Sequence, residues 1–110
     1  MADMSYVVGR LHGLNELVKI LKDMVKNKKA TQNAEMIEVM ADHISEQLEA
    51  IIGEFEGGGV KPEHKEKLAE AKEKVVQSQR KVEEAETPEE KLDEHSKTVD
   101  ELLRDLESMK

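Results

Sequence analysis

Along the first quarter of the chain, apolar residues recur at steps of three and four, the spacing of a helix face. Between residues 4 and 25 they form two stripes. Met4, Val7, Leu11, Leu14, Val18, Leu21 and Val25 make an ordinary packing seam, while Tyr6, Gly9, Gly13, Leu17, Ile20 and Met24 make a second stripe on an adjoining face. Together they span roughly 240° of the helix, against the roughly 100° of a surface helix with one buried side. Such a helix needs at least two neighbours, and it leaves His12, Glu16, Lys19, Asp23 and Lys26 for water. Asp3 or Ser5 is placed to cap its start.

The polar run over 27–33 predicts a break, with Thr31 or Asn33 capping a second helix. That helix carries Met36, Ile37, Val39, Met40, Ala41, Ile44, Leu48, Ile51, Ile52 and Phe55, an apolar face roughly 220° wide on the same reckoning. A short connection between two such helices makes an antiparallel hairpin. A pivot near residues 30 and 31 would bring Tyr6 level with Phe55, Gly9 with Ile52 and Gly13 with Leu48. A glycine inside a helix costs about 1 kcal/mol relative to alanine, so Gly9 and Gly13 point to close approach of something large. The first expectation is packing space for Leu48 and Ile52; the second is a docking groove for an outside partner.

Gly57, Gly58 and Gly59 are the strongest punctuation in the sequence, read as a turn or a linker between two hairpins. Three consecutive glycines are also the joint of a fused or designed chain. Pro62 suits the first turn of a third helix. Its seam, Leu68, Ala71, Val75, Ser78, Val82 and Ala85, is built of small and partly polar residues, and Glu63 with Lys67 and Glu70 with Lys74 are spaced as surface pairs. Thr87, Pro88 and Glu90 form an N-cap, a first-turn proline and a capping-box glutamate, so a fourth helix starts there. Leu92, His95, Val99, Leu102, Leu103, Leu106 and Met109 lie on one face roughly 120° wide, the pattern of a helix with one neighbour.

The expected fold is all-α: an antiparallel four-helix bundle or two linked helical hairpins. It forms one domain over 1–110, with a hairpin at about 4–56, a glycine linker at 57–59 and a second hairpin at about 62–109. Composition agrees, since 38% of residues are charged, 2% are aromatic and none is cysteine; that profile suits helical bundles. Charge sharpens the picture. The segment 1–29 carries a net +3, 30–56 a net −7, 57–85 a net +1 and 86–110 a net −5, so each hairpin joins a more basic helix to an acidic one. The total of −8 and the lack of a clustered basic face argue against nucleic acid. Apolar runs are too short to cross a bilayer, and a cytoplasmic setting is expected, without a membrane partner.

Candidate chemistry is sparse. None of His12, His43, His64 and His95 has the Glu three residues earlier that a carboxylate-bridged metal bundle requires, and no metal or other cofactor is expected. His95 alone falls on an apolar face. A pivot near Thr87 would set it level with Gln79, beside Ser78, as a buried hydrogen-bonded pair that fixes register. No nucleophile, acid–base pair or phosphate cradle stands out, so no enzymatic activity is expected. The leading expectation is a helical protein–protein interaction or assembly module that binds a partner protein, or a second copy of itself as a homodimer. Its face would be Tyr6, Gly9, Gly13, Leu17, Ile20 and Met24. A metal- or small-molecule-binding bundle, using His95 and the Met24, Met36 and Met40 end, is one alternative, and a designed or fused helical scaffold without a natural role is another.

Overall fold

The computed structural model describes residues 4–27, 30–57 and 61–109, and the side chains of 5–27, 35–57 and 61–109. Four helices, α1 (Met4–Lys26), α2 (Ala30–Gly57), α3 (Lys65–Glu84) and α4 (Pro88–Glu107), pack as one bundle of 47 × 24 × 19 Å, with a 3₁₀ turn at Pro62–His64 leading into α3. The expected all-α four-helix architecture is present. Successive helices run antiparallel: Arg10 near the start of α1 pairs with Glu54 near the end of α2, and Lys74 of α3 with Asp105 near the end of α4, while Lys22 with Asp93 and His12 with Glu107 set α1 antiparallel to α4 by their opposed numbering. Across one diagonal α2 touches α4, while α1 and α3 do not meet.

The start of α4 has a local cause. Thr87 Oγ1 accepts from Glu90 N at 3.2 Å, and the Glu90 carboxylate accepts in turn from Glu86 N at 3.2 Å, with Pro88 opening the helix. The capping-box reading is correct, displaced by one residue on the return bond. Two other caps are corrected. Ser5 lies inside α1, and α2 begins at Ala30, so Thr31 and Asn33 are helical positions; Asp3 lies outside the described residues. So do Gly58 and Gly59, whereas Gly57 ends α2. Pro62 sits at the first position of the 3₁₀ turn, one turn ahead of α3.

The core follows the expected seams. Val7, Leu11, Leu14, Val18 and Leu21 of α1 meet Ile37, Ile44, Leu48, Ile51 and Phe55 of α2, with Leu68, Ala71 and Val75 of α3 and Leu92, Val99, Leu102 and Leu106 of α4. Surface pairing on α3 differs from expectation: Lys67 reaches Glu70 at 3.8 Å, and Lys74 crosses to Asp105 of α4. Tyr6 and Phe55 do not share an environment, since Tyr6 is 58% exposed and Phe55 is buried.

The main correction concerns α4, which the width of its apolar face marks as a one-neighbour helix. It packs against all three others. Its polar flanks extend its reach: Asp93 and Glu107 pair with Lys22 and His12 of α1, Asp105 with Lys74 of α3, and Lys91 with Glu38 and Asp42 of α2 at 3.2 and 3.8 Å. Net charges alternate around the bundle, so every adjacent pair joins opposite signs and like-charged helices sit on the diagonals.

Candidate functional site

Two features stand apart from ordinary core packing: the outer face of the α1–α2 hairpin and a buried polar layer around His95. The first follows from where the neighbours of α1 sit. Arg10 donates from Nη2 to Gln47 Oε1 at 2.7 Å and pairs with Glu54, which places α2 on the Arg10 flank. The second neighbour is α4, and it approaches from the opposite flank. There Val8 is fully buried, Lys22 Nζ lies 3.1 Å from Asp93, and a groove of about 480 Å³ runs between Lys19, Lys22 and Lys26 of α1 and Glu89 and Asp93 of α4. The two neighbours required by the wide apolar circumference are therefore both present. Neither covers the outer edge of the second stripe.

Along that stripe Leu17 and Met24 are half-buried against the core, while Tyr6 and Ile20 (56% exposed) face outward. Gly9 and Gly13 are exposed, and a Cβ built at either meets nothing within 4 Å. This corrects the expectation that they make room for Leu48 and Ile52; those side chains are buried in the core, and the glycines leave bare backbone on the outside. Helical phase gives α2 a matching edge. Met36 and Val39 are 45% and 62% exposed, and Met40 is half-buried beside them. In an antiparallel hairpin they come level with Ile20 and Met24. The result is one apolar surface shared by two helices at the end nearest their connection.

Sequence pattern located the α1 half of this surface but assigned Met36, Val39 and Met40 to the core. The available signal was the Arg10-to-Glu54 charge pair, which fixes the flank at which the helices join.

The second feature is His95, fully buried at the centre of the bundle. Neither ring nitrogen has a hydrogen-bond partner, and Ser78 Oγ on α3 is likewise buried and unpartnered. The expected bond between Gln79 and His95 is thus not formed; Gln79 is half-exposed and lines surface grooves between α2 and α3. Burial lowers the His95 pKa below its ordinary 6.5, opposed in part by the Ala41 carbonyl and the Asp42 carboxylate and reinforced by Lys91. Burial thus favours the neutral form of the ring. Thr98, also buried, is satisfied by donating to Glu94 O at 3.0 Å.

Among the described residues, no three His, Asp or Glu side chains gather where a metal could sit. No described helix is long and apolar enough to cross a membrane. His12 lies 2.8 Å from Glu107, and His43 lies 3.7 Å from Glu46, both at the surface. Comparison of the chain with protein-family models, curated proteins and solved structures gives no match.

Proposed function

We propose that the chain is a non-enzymatic helical interaction module, an adaptor or assembly subunit, that binds a protein partner through the outer face of the α1–α2 hairpin. One observation supports it most. Ile20, Met36 and Val39 remain outward on adjoining edges near the α1–α2 connection, with Tyr6 outward at the far end of α1, although both neighbours of α1 are already in place. Burying such a side chain is worth about 1.5–3 kcal/mol each, and contiguous exposed apolar surface is characteristic of binding sites. The polar layer offers no comparable support for a metal or small-molecule site, since its members are enclosed and no ligand set gathers around them.

The test is photo-crosslinking in cells that naturally make the protein. A photoreactive residue at Ile20 or Val39 should yield one discrete adduct, and the same residue at Glu73 on the exposed side of α3 should not. Absence of an adduct at either hairpin position, or equal adducts at Glu73, would contradict the proposal.

A further inference from the structure

The partner's chemistry can be read from the charges that border the apolar surface, taking the interaction role proposed above as given. Between Ala30 and Gly57, α2 contains seven carboxylates and no Lys or Arg. Several have cations from other helices: Glu54 has Arg10, Glu38 and Asp42 have Lys91, and Glu56 has Lys72. Glu35, Glu46 and Glu49 have no Lys or Arg partner among the described residues, and the first two lie on the side of α2 that carries Val39. Glu35 adjoins Met36 and has no ion pair among the described residues, and Glu46, two turns from Val39 along the exposed side, faces only His43. The lysines of α1 lie elsewhere, since Lys19, Lys22 and Lys26 line the α4-facing groove.

We infer that this face receives an amphipathic helix with a basic polar side, lying along the groove between α1 and α2. The exposed and half-buried positions are Leu17, Ile20 and Met24 on one wall, at i, i+3 and i+7, and Met36, Val39 and Met40 on the other, at i, i+3 and i+4. That spacing matches the ridge of an incoming helix with anchors at i, i+3 or i+4, and i+7. Farther along, the bare backbone at Gly9 and Gly13 lets that helix continue close to α1. Methionine at three of the six wall positions gives a surface that adapts to different anchors. Cations on the partner's polar side would answer Glu35 and Glu46. A second copy of this chain would bring the same uncompensated carboxylates together, and an anionic lipid surface or nucleic acid would meet them with its own negative charge.

The experiment is fluorescence anisotropy with three labelled peptides of about 20 residues, roughly 30 Å as helices. One has a Leu/Ile face and Lys/Arg elsewhere, a twin replaces Lys/Arg with Glu, and a third scrambles the basic peptide so that the apolar face is lost. The basic amphipathic peptide should bind at least about tenfold more tightly than the other two. Its affinity should fall as salt rises, and fall about tenfold or more in Ile20→Ser/Val39→Ser protein whose circular dichroism and melting are unchanged. Glu35→Gln/Glu46→Gln should remove most of the salt dependence.

Equal or better binding of the acidic twin, lost on Ile20→Ser/Val39→Ser, overturns the basic-partner inference and leaves the interaction module standing. A homodimer by light scattering that the same double substitution dissolves does likewise, with a second copy as occupant. No binding of the basic peptide at about 100 µM, a weak millimolar-range limit, overturns the inference whatever the crosslinking shows; together with absent adducts, it removes the module reading too.

Discussion

α1 and α4 reverse the roles that their apolar patterns suggest. α1 has the wide apolar circumference and leaves part of it outside; α4 has the narrow face and touches every other helix. The width of a stripe measures how much surface a helix could bury, whereas the number of neighbours depends on its place in the bundle. α4 obtains its third neighbour across the α2–α4 diagonal, where Lys91 satisfies Glu38 and Asp42 and relieves the repulsion between two acidic helices. α1 cannot use the corresponding diagonal, because it does not meet α3. Part of its surplus apolar surface, at Tyr6 and Ile20, is thereby left exposed.

The comparison sharpens under substitution. The largest effect is expected at Leu102→Ala on α4, a fully buried position. Deleting a leucine side chain there should cost about 2–5 kcal/mol in denaturant unfolding. A loss under about 1 kcal/mol, no more than a surface change, would show that α4 is not central.

Next comes His95→Leu, which removes a buried group with no hydrogen bond from a site of similar volume. The variant should be more stable by about 1–3 kcal/mol at neutral pH. It should also lose part of the acid sensitivity. Because the folded pKa lies below 6.5, the unfolded chain takes up the proton first as pH falls through that value. The native protein therefore loses stability as pH falls through about 6.5, and this group contributes no further loss once the lower folded pKa is passed. Unfolding curves at pH 7.5 and 5.5 should diverge less in His95→Leu than in the parent. Equal divergence would mean that the ring is solvated or paired. Gln79→Ala should leave stability within about 0.5 kcal/mol, because Gln79 makes no bond to the ring.

Lys91→Ala should cost about 1 kcal/mol, less at high salt, by leaving Glu38 and Asp42 without their cation. A salt-independent loss would assign its role to packing of its stem instead. The smallest effect is expected at Ile20→Ser, within about 0.5 kcal/mol, because the side chain is more exposed than buried. A loss as large as that of Leu102→Ala would show that the outer stripe is core.

Much of this architecture was legible from residue spacing. The α3 and α4 seams and the Thr87 cap were readable because each depends on residues within a turn or two of one another, and all but Ala85 and Met109 of the two seams are buried. What was not legible depends on tertiary position. Nothing local to α1 distinguishes the Val8 flank, where α4 docks, from the outer Tyr6 edge, which none of the described residues covers. Nothing local to α2 separates Met36 and Val39 from the core set that includes Ile37 and Ile44. His95 was correctly placed inside by the α4 period, yet its partner depended on the relative rotation of α3, which turns Ser78 inward and leaves Gln79 at the edge.

The central claim is that Ile20 lies on a face left open for a partner while the other isoleucines are core. Methyl NMR with a soluble paramagnetic agent tests it within one molecule. In the monomeric protein, the Ile20 signal should broaden strongly while those of Ile37, Ile44 and Ile51 stay sharp. Saturating basic amphipathic peptide should restore Ile20 alone. An Ile20 methyl already shielded in the free monomer, or one still broadened with peptide bound, would contradict the account.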